Sequence, residues 1–222
     1  MAAMYRTEAF RGPLMRVSYA WQLFKLRDAK SDYKPKYGCT LIMPKSGDWS
    51  AIRNAIKEVL EGQWGVKGAE KFKAGLIRSP ILAGDGKEAR SKETGDLHPG
   101  MGADVNFIRV QSGPDRKPRV FDAAMKRCSV VKPGSPYTLL EEEDCPSGSW
   151  GYPVLNAFAW NNPQNGDGIS FGIDMFQITK VATGDEILGG GGESNPDKFF
   201  EKIATDDNDD GDKPGSAEDL FA

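Results

Sequence analysis

The sequence predicts a mainly β fold with one amphipathic helix, and three observations carry that prediction. Apolar and polar residues alternate in several stretches of strand length, one segment switches to three- and four-residue apolar steps, and breaks rich in Pro and Gly separate the pieces. With 222 residues the chain can form one large or two small domains and bury a substantial core.

Taken in order, Met15, Val17, Tyr19, Trp21 and Leu23 share a parity opposite Arg16, Ser18, Ala20 and Gln22, which predicts a first strand over residues 14–24 after the turn-forming Gly12-Pro13. Residues 25–35 form a polar connection with Lys25, Arg27, Lys30 and Lys34 around Tyr33. Tyr37, Cys39, Leu41 and Met43 mark a second strand that ends at Pro44-Lys45. Asp48 is placed to cap a helix in which Trp49, Ile52, Ala55, Ile56, Val59, Leu60 and Gln63 recur on one face, and which ends near residues 62–65. Trp49 and Trp64 therefore read as helix-packing residues.

Between residues 67 and 100 the periodicity dissolves, leaving a long surface excursion that carries Arg78 and Lys92 among other cations. Its Gly84-Asp85-Gly86-Lys87 does not have the spacing of a phosphate-binding loop. A third strand follows, with Val105, Phe107 and Arg109 on one face and Asn106, Ile108 and Val110 on the other. Arg116 and Lys117 sit in a basic turn, and residues 119–125 are expected to continue the sheet. Glu141-Glu142-Glu143-Asp144 lies in a segment punctuated by Pro and Gly. Consecutive carboxylates diverge on any regular backbone, so a solvated face is expected there and no metal site.

The most informative stretch comes next. Trp150, Tyr152, Val154, Asn156, Phe158 and Trp160 fall on one parity, gathering four rings on one side of a strand, with Leu155, Ala157 and Ala159 on the other. Residues 161–168 reverse the chain, and Ile169, Phe171, Ile173 and Met175 then alternate with Ser170, Gly172 and Asp174. The result is a long hairpin. Its aromatic face is open to two readings: rings buried as core, or rings held out as a platform on which bases stack.

Charge is unevenly distributed. Residues 185–222 hold twelve acids and three bases, a formal −9, which leaves 26 bases against 20 acids, +6, in residues 1–184. A basic body suits a polyanionic ligand. Gly189-Gly190-Gly191-Gly192 reads as a flexible linker into a tail too acidic and too poor in apolar residues to fold alone, ending Asp219-Leu220-Phe221-Ala222. Cys39, Cys128 and Cys145 are scattered without a C-x-x-C pair and there is one histidine, His98, so ordinary reduced thiols are expected, with no disulfide framework and no zinc site. No apolar run approaches the ~20 residues of a membrane span, and the first residues lack the apolar core of a secretory signal, so the expected location is the cytoplasm.

The order strand, strand, helix, long loop, strand, aromatic hairpin resembles an OB-fold, a small Greek-key barrel. Val17-Ser18-Tyr19-Ala20 with Leu23-Phe24, the run Lys36-Tyr37-Gly38-Cys39-Thr40-Leu41-Ile42-Met43-Pro44-Lys45, and Gly168-Ile169-Ser170-Phe171-Gly172-Ile173 with Gln177 resemble the single-stranded-DNA-binding protein family of tailed bacteriophages, over most of residues 14–181. Such binders often end in acids followed by Phe; here Ala222 follows Phe221. The resemblance implies an OB-fold-like domain over residues 1–184, a flexible acidic tail over 185–222, and a function in coating single-stranded DNA during phage replication or recombination, in the host cytoplasm.

On that reading, bases stack on rings from Tyr33, Tyr37, Phe107, Tyr152, Trp160 and Phe171, while phosphates meet Lys34, Lys36, Arg78, Lys92, Arg109, Arg116, Lys117 and Arg119. Asp209, Asp210, Asp212, Asp219, Leu220 and Phe221 would engage replication or recombination proteins, or occupy the basic body when no DNA is bound. No catalytic residue, metal or cofactor is expected, and the sequence leaves the oligomeric state open. The rival readings are a nuclease using Asp104, Asp122 and Asp174 around Mg²⁺, and a virion or scaffold protein.

Overall fold

In the computed structural model, residues 4–27, 35–162, 164 and 166–189 are described. The strands are β1 (Phe10–Arg11), β2 (Met15–Ser18), β3 (Tyr37–Pro44), β4 (Ile77–Arg78), β5 (Leu82–Ala83), β6 (Val105–Ser112), β7 (Arg119–Phe121), β8 (Arg127–Cys128), β9 (Thr138–Leu139), β10 (Trp150–Asn162) and β11 (Gly166–Lys180), with helices α1 (Ser50–Trp64) and α2 (Gly68–Lys73). Five of the strands close on themselves: β2 pairs with β3, β3 with β6, β6 with β11, β11 with β10, and β10 returns to β2 through Trp150 opposite Arg16. This is the OB-type barrel the sequence predicted, with β7, β8 and β9 extending the sheet beyond β11.

The core lies inside that barrel. Leu41, Ile108, Leu155, Ala157, Ile169, Phe171 and Ile173 fill it, and α1 closes one end with Ile52, Ile56, Val59 and Leu60. Asp48 Oδ1 accepts the Ser50 amide at 2.9 Å just ahead of α1, one residue before the cap position, which Trp49 occupies without a side-chain cap bond. Trp49 is buried and donates its indole N–H to the Pro44 carbonyl at 3.0 Å. Among the described residues no helix is long and apolar enough to cross a membrane. All three cysteines are buried free thiols; burial pushes Cys39 upward, and Cys145 up to about 12, so neither is a ready thiolate.

Several stretches differ from the sequence expectation: β7 stops at Phe121 short of residue 125, and a register shift on β11 after Ile173 puts Phe176 in the core in place of Met175. The first strand stops at Ser18, because Tyr19 takes a left-handed backbone (φ 57°) and the chain continues as a 3-10 turn over Ala20–Leu23. That turn is held from elsewhere: Ser147 Oγ accepts the Ala20 amide, and the Tyr19 hydroxyl meets His98 Nδ1 at 3.0 Å. The excursion over 67–100 is partly ordered, since Ile77–Arg78 runs parallel beside Asp167–Gly168 of β11 and Leu82–Ala83 pairs with Asn106–Phe107 of β6. Finally, the acidic run at 141–144 is tied down. Asp144 accepts Nη1 of Arg127 at 2.8 Å and also Nη2, and Glu142 pairs with Lys25 at 2.7 Å. Those hydrogen bonds from Arg127 hold the Asp144 carboxyl below its ordinary range.

Packing continues past residue 184. Arg16 donates to the Glu186 carbonyl, Lys180 pairs with Glu186, and the Leu188 amide donates to the Ser147 carbonyl. Leu188 then rests against Ile42 and Phe107 on the outside of the barrel.

Candidate nucleic-acid interface

The β10–β11 hairpin sorts its side chains as alternation requires, and the sorting answers which way the rings point. Gly151, Pro153, Leu155, Ala157 and Ala159 are buried on the core side, whereas Trp150, Tyr152, Phe158 and Trp160 are half-buried on the outer side. Opposite this outer row β11 places small residues: Gly168 faces Trp160, Ser170 faces Phe158 and Gly172 faces Asn156. The reason is steric. A Cβ at Gly168 would come within 2.2 Å of Trp160 Cζ2, so glycine is what allows the indole to lie across the neighbouring strand.

Cations border this row. The Arg6 guanidinium lies 4.9 Å from the Phe158 ring centroid and that of Arg11 lies 3.7 Å from Tyr152, both delivered by the N-terminal segment that runs alongside β10. Arg78 sits in register with Gly168, on the same flank as Trp160. Lys36 reaches Gln111 Oε1 at 3.1 Å. Two concavities open beside the rings. One, of about 220 Å³, is lined by Arg6, Lys36, Gln111, Arg116, Asn156 and Phe158 among others. The second, of about 870 Å³, is formed where β7 and residues 130–137 extend the barrel, and it carries Arg116, Lys117, Arg119, Lys132 and Tyr137. Arg116 and Asp174 line both, so the two adjoin.

Lys36, Arg116, Lys117 and Arg119 therefore stand together along the groove, and Arg78, Tyr152 and Trp160 flank it on the same sheet face. Phe107 and Phe171 must be withdrawn as stacking rings. Phe171 is fully buried inside the barrel, edge-on to Phe10 at 6.4 Å. Phe107 is 1% exposed although its parity does point it outward, because Leu82, Ala89, Met101 and Leu188 cover that part of the wall. Tyr37 starts β3 on the parity of Cys39 and Leu41, the core side, is half-buried, and lines neither concavity although its neighbours Lys36 and Ser112 line the smaller one. Arg109 is turned to the same cover, donating to the Glu88 carbonyl, and Lys92 lies exposed in the excursion, lining neither concavity. Tyr33, Lys34 and the tail residues Asp209, Asp210, Asp212, Asp219, Leu220 and Phe221 lie outside the described residues.

Sequence reasoning passed over Phe158, Arg6, Arg11, Asn156, Lys132 and Tyr137. Phe158 and Asn156 were within reach, since both share the parity of Tyr152 and Trp160. The others come together only through pairings between distant segments, such as Arg6 with Phe158. Of the carboxylates a metal-dependent nuclease would need, Asp122 accepts the Lys126 and Arg127 amides of its own turn while Asp174 lines the groove. Among the described residues no three His, Cys, Asp or Glu side chains gather at one point.

A closed five-stranded barrel with an open, ring-bearing and cation-lined outer face defines an OB-type ligand-binding protein. The profile of the Enterobacter phage Enc34 ssDNA-binding protein family matches residues 10–211, and the chain belongs to that family. Among solved structures, the single-stranded DNA-binding protein from bacteriophage Enc34 in complex with ssDNA is 20% identical, with 79% of this chain and 88% of that chain covered and a TM-score of 0.53. A further structure of the single-stranded DNA-binding protein from bacteriophage Enc34 is 20% identical over 86% of this chain and 90% of that one, with a TM-score of 0.51. At such identities the likeness is one of fold. No curated protein sequence matches the chain.

Proposed function

We infer that this protein binds single-stranded DNA, without an enzymatic step, along the outer face of β10 and β11. The observation that carries the reading is a pair of adjoining cation-lined concavities beside a row of half-exposed rings, in a chain of this family. Tyr152, Phe158 and Trp160 offer π-faces to successive bases, and Arg6, Lys36, Arg78, Arg116, Lys117, Arg119 and Lys132 meet phosphates. Stacking is tolerant of sequence because every base has a π-face, so the protein coats strands during replication or recombination of phage DNA in the host cytoplasm. The acidic tail competes with DNA for the basic groove and presents its Leu220-Phe221 tip to replication or recombination proteins.

Titration of labelled single-stranded, duplex and RNA oligonucleotides at two salt concentrations tests this. Single-stranded DNA is expected to bind tightest. Six of those cations line the two concavities, so log K should fall with log salt at a slope of up to about −4 if all six engage phosphates. Equal, weak and salt-independent binding of all three would remove the reading.

A further inference from the structure

The floor of the smaller concavity does not suit a phosphate. Asp174 lines it, and among the described residues this carboxylate forms no ion pair, although Arg6, Lys36 and Arg116 line the same space. Beside it lies Asn156, 6% exposed, whose side chain rests on Gly172: a Cβ there would come within 2.7 Å of its Oδ1. Asn156 Nδ2 reaches Asp174 Oδ2 only at 3.5 Å, and Oδ1 is closed to solvent and accepts no hydrogen bond. A buried acceptor without a donor is costly to keep, and a bare carboxylate in a channel for phosphates repels the backbone. Both defects are relieved by the same visitor, a group that brings hydrogen-bond donors and no negative charge, with the Asn156 amide turning from its seat on Gly172 as the visitor enters so that Oδ1 reaches the concavity.

We propose that Asn156 and Asp174 form a base-reading pocket in the floor of the DNA groove, one that accepts hydrogen bonds from the edge of an unstacked nucleobase and favours guanine. Guanine presents a ring N–H and an exocyclic amino group side by side, two donors for two acceptors. Thymine brings one ring N–H, and adenine and cytosine bring only an amino group. Phe158 on the pocket wall supplies the apolar flank, and Arg6 and Arg116 hold the phosphates on either side away from Asp174. The inference rests on the groove being the DNA site, and gives an otherwise sequence-tolerant binder a preference at one position.

The test uses the full chain and fluorescence anisotropy. Three labelled DNA strands of equal length are compared: thymine alone, thymine with isolated guanines, and the same strand with inosine in place of guanine, which keeps the ring N–H and loses the amino group. Guanine should bind about fivefold tighter than thymine alone, with inosine between them. The guanine-to-thymine affinity ratio should collapse towards one in Asp174→Asn and in Asn156→Leu. If a variant fails to fold, the inosine comparison on the natural chain still decides. Equal affinity for all three strands, or a guanine preference unchanged in both variants, overturns the pocket. A uracil RNA strand bound more tightly than its DNA counterpart, with that difference lost in Asn156→Leu, would assign the acceptor to the sugar hydroxyl and overturn it too. Failure of every strand to bind overturns the site itself, and the pocket with it.

Discussion

Two parts of the same barrel wall face outward, and they have opposite fates. On β3 and β6, Ile42 and Phe107 point away from the barrel interior yet are 2% and 1% exposed, because residues from 82–101 and Leu188 are laid over them. On β10, Tyr152, Phe158 and Trp160 also point outward but stay half-exposed, with Arg11 and Arg6 over the first two and Gln177, Ser170 and Gly168 opposite them on β11. The alternation that sends a ring outward is the same in both places. What differs is whether a distant stretch of chain arrives to cover it. An outward ring is thus either a second small core or a ligand surface, and the covering segment decides.

The comparison is broken most directly at its covered half. Phe107→Ala should cost about 3–5 kcal/mol of folding stability, the range for emptying a buried aromatic site, and denaturant unfolding measures it. A loss below about 1 kcal/mol would mean the cover contributes little packing. On the open half the effect moves from stability to binding. Trp160→Ala should weaken oligonucleotide affinity by about 1–3 kcal/mol while costing far less stability than the Phe107 change. A variant that binds as tightly as the parent would return Trp160 to a purely structural part.

Removing residues 205–222 takes away seven acids and one base, a change of +6. DNA should then bind more tightly at low salt, and the gain should shrink as ionic strength rises and the Debye length falls towards ~3 Å at 1 M. Equal affinities at low salt would remove competition by the tail. The smallest effect is expected in the extension beyond the barrel. Asp144 is held below its ordinary range by Arg127, so the pair stabilises the fold above the unfolded carboxylate range and loses that effect as pH falls through the depressed folded value. Arg127→Ala should lower the melting temperature near neutrality, with the gap to the parent closing in acid. The effect is modest because both side chains are about a third exposed, at 39% and 31%.

Much of this architecture was legible in the residues. The parity of β10, the helical period of α1 and the chain reversal between β10 and β11 follow from local chemistry, although the strands run through Asn162 and resume at Gly166, well inside the 161–168 break the residues suggested. The fate of each ring did not follow. Phe107 and Trp160 look alike in sequence, and only the fold lays 82–101 over one of them. Tyr19 shows the same limit in the backbone: its parity continues a strand, but His98 and Ser147, far along the chain, hold the turn that ends it. The arginines over Phe158 and Tyr152 lie in the first residues, where no periodic pattern marks them and only the pairing with β10 gives them a place.

The central claim, that the uncovered face of β10 and β11 holds the strand, is tested most directly by Phe158→Ala, since this ring lines the groove and carries Arg6 above it. Titrated with a labelled thymine strand at fixed salt, the variant should bind about tenfold more weakly, within the range for one lost stacking ring, and should unfold close to the parent. Undiminished affinity in a folded variant would contradict the account.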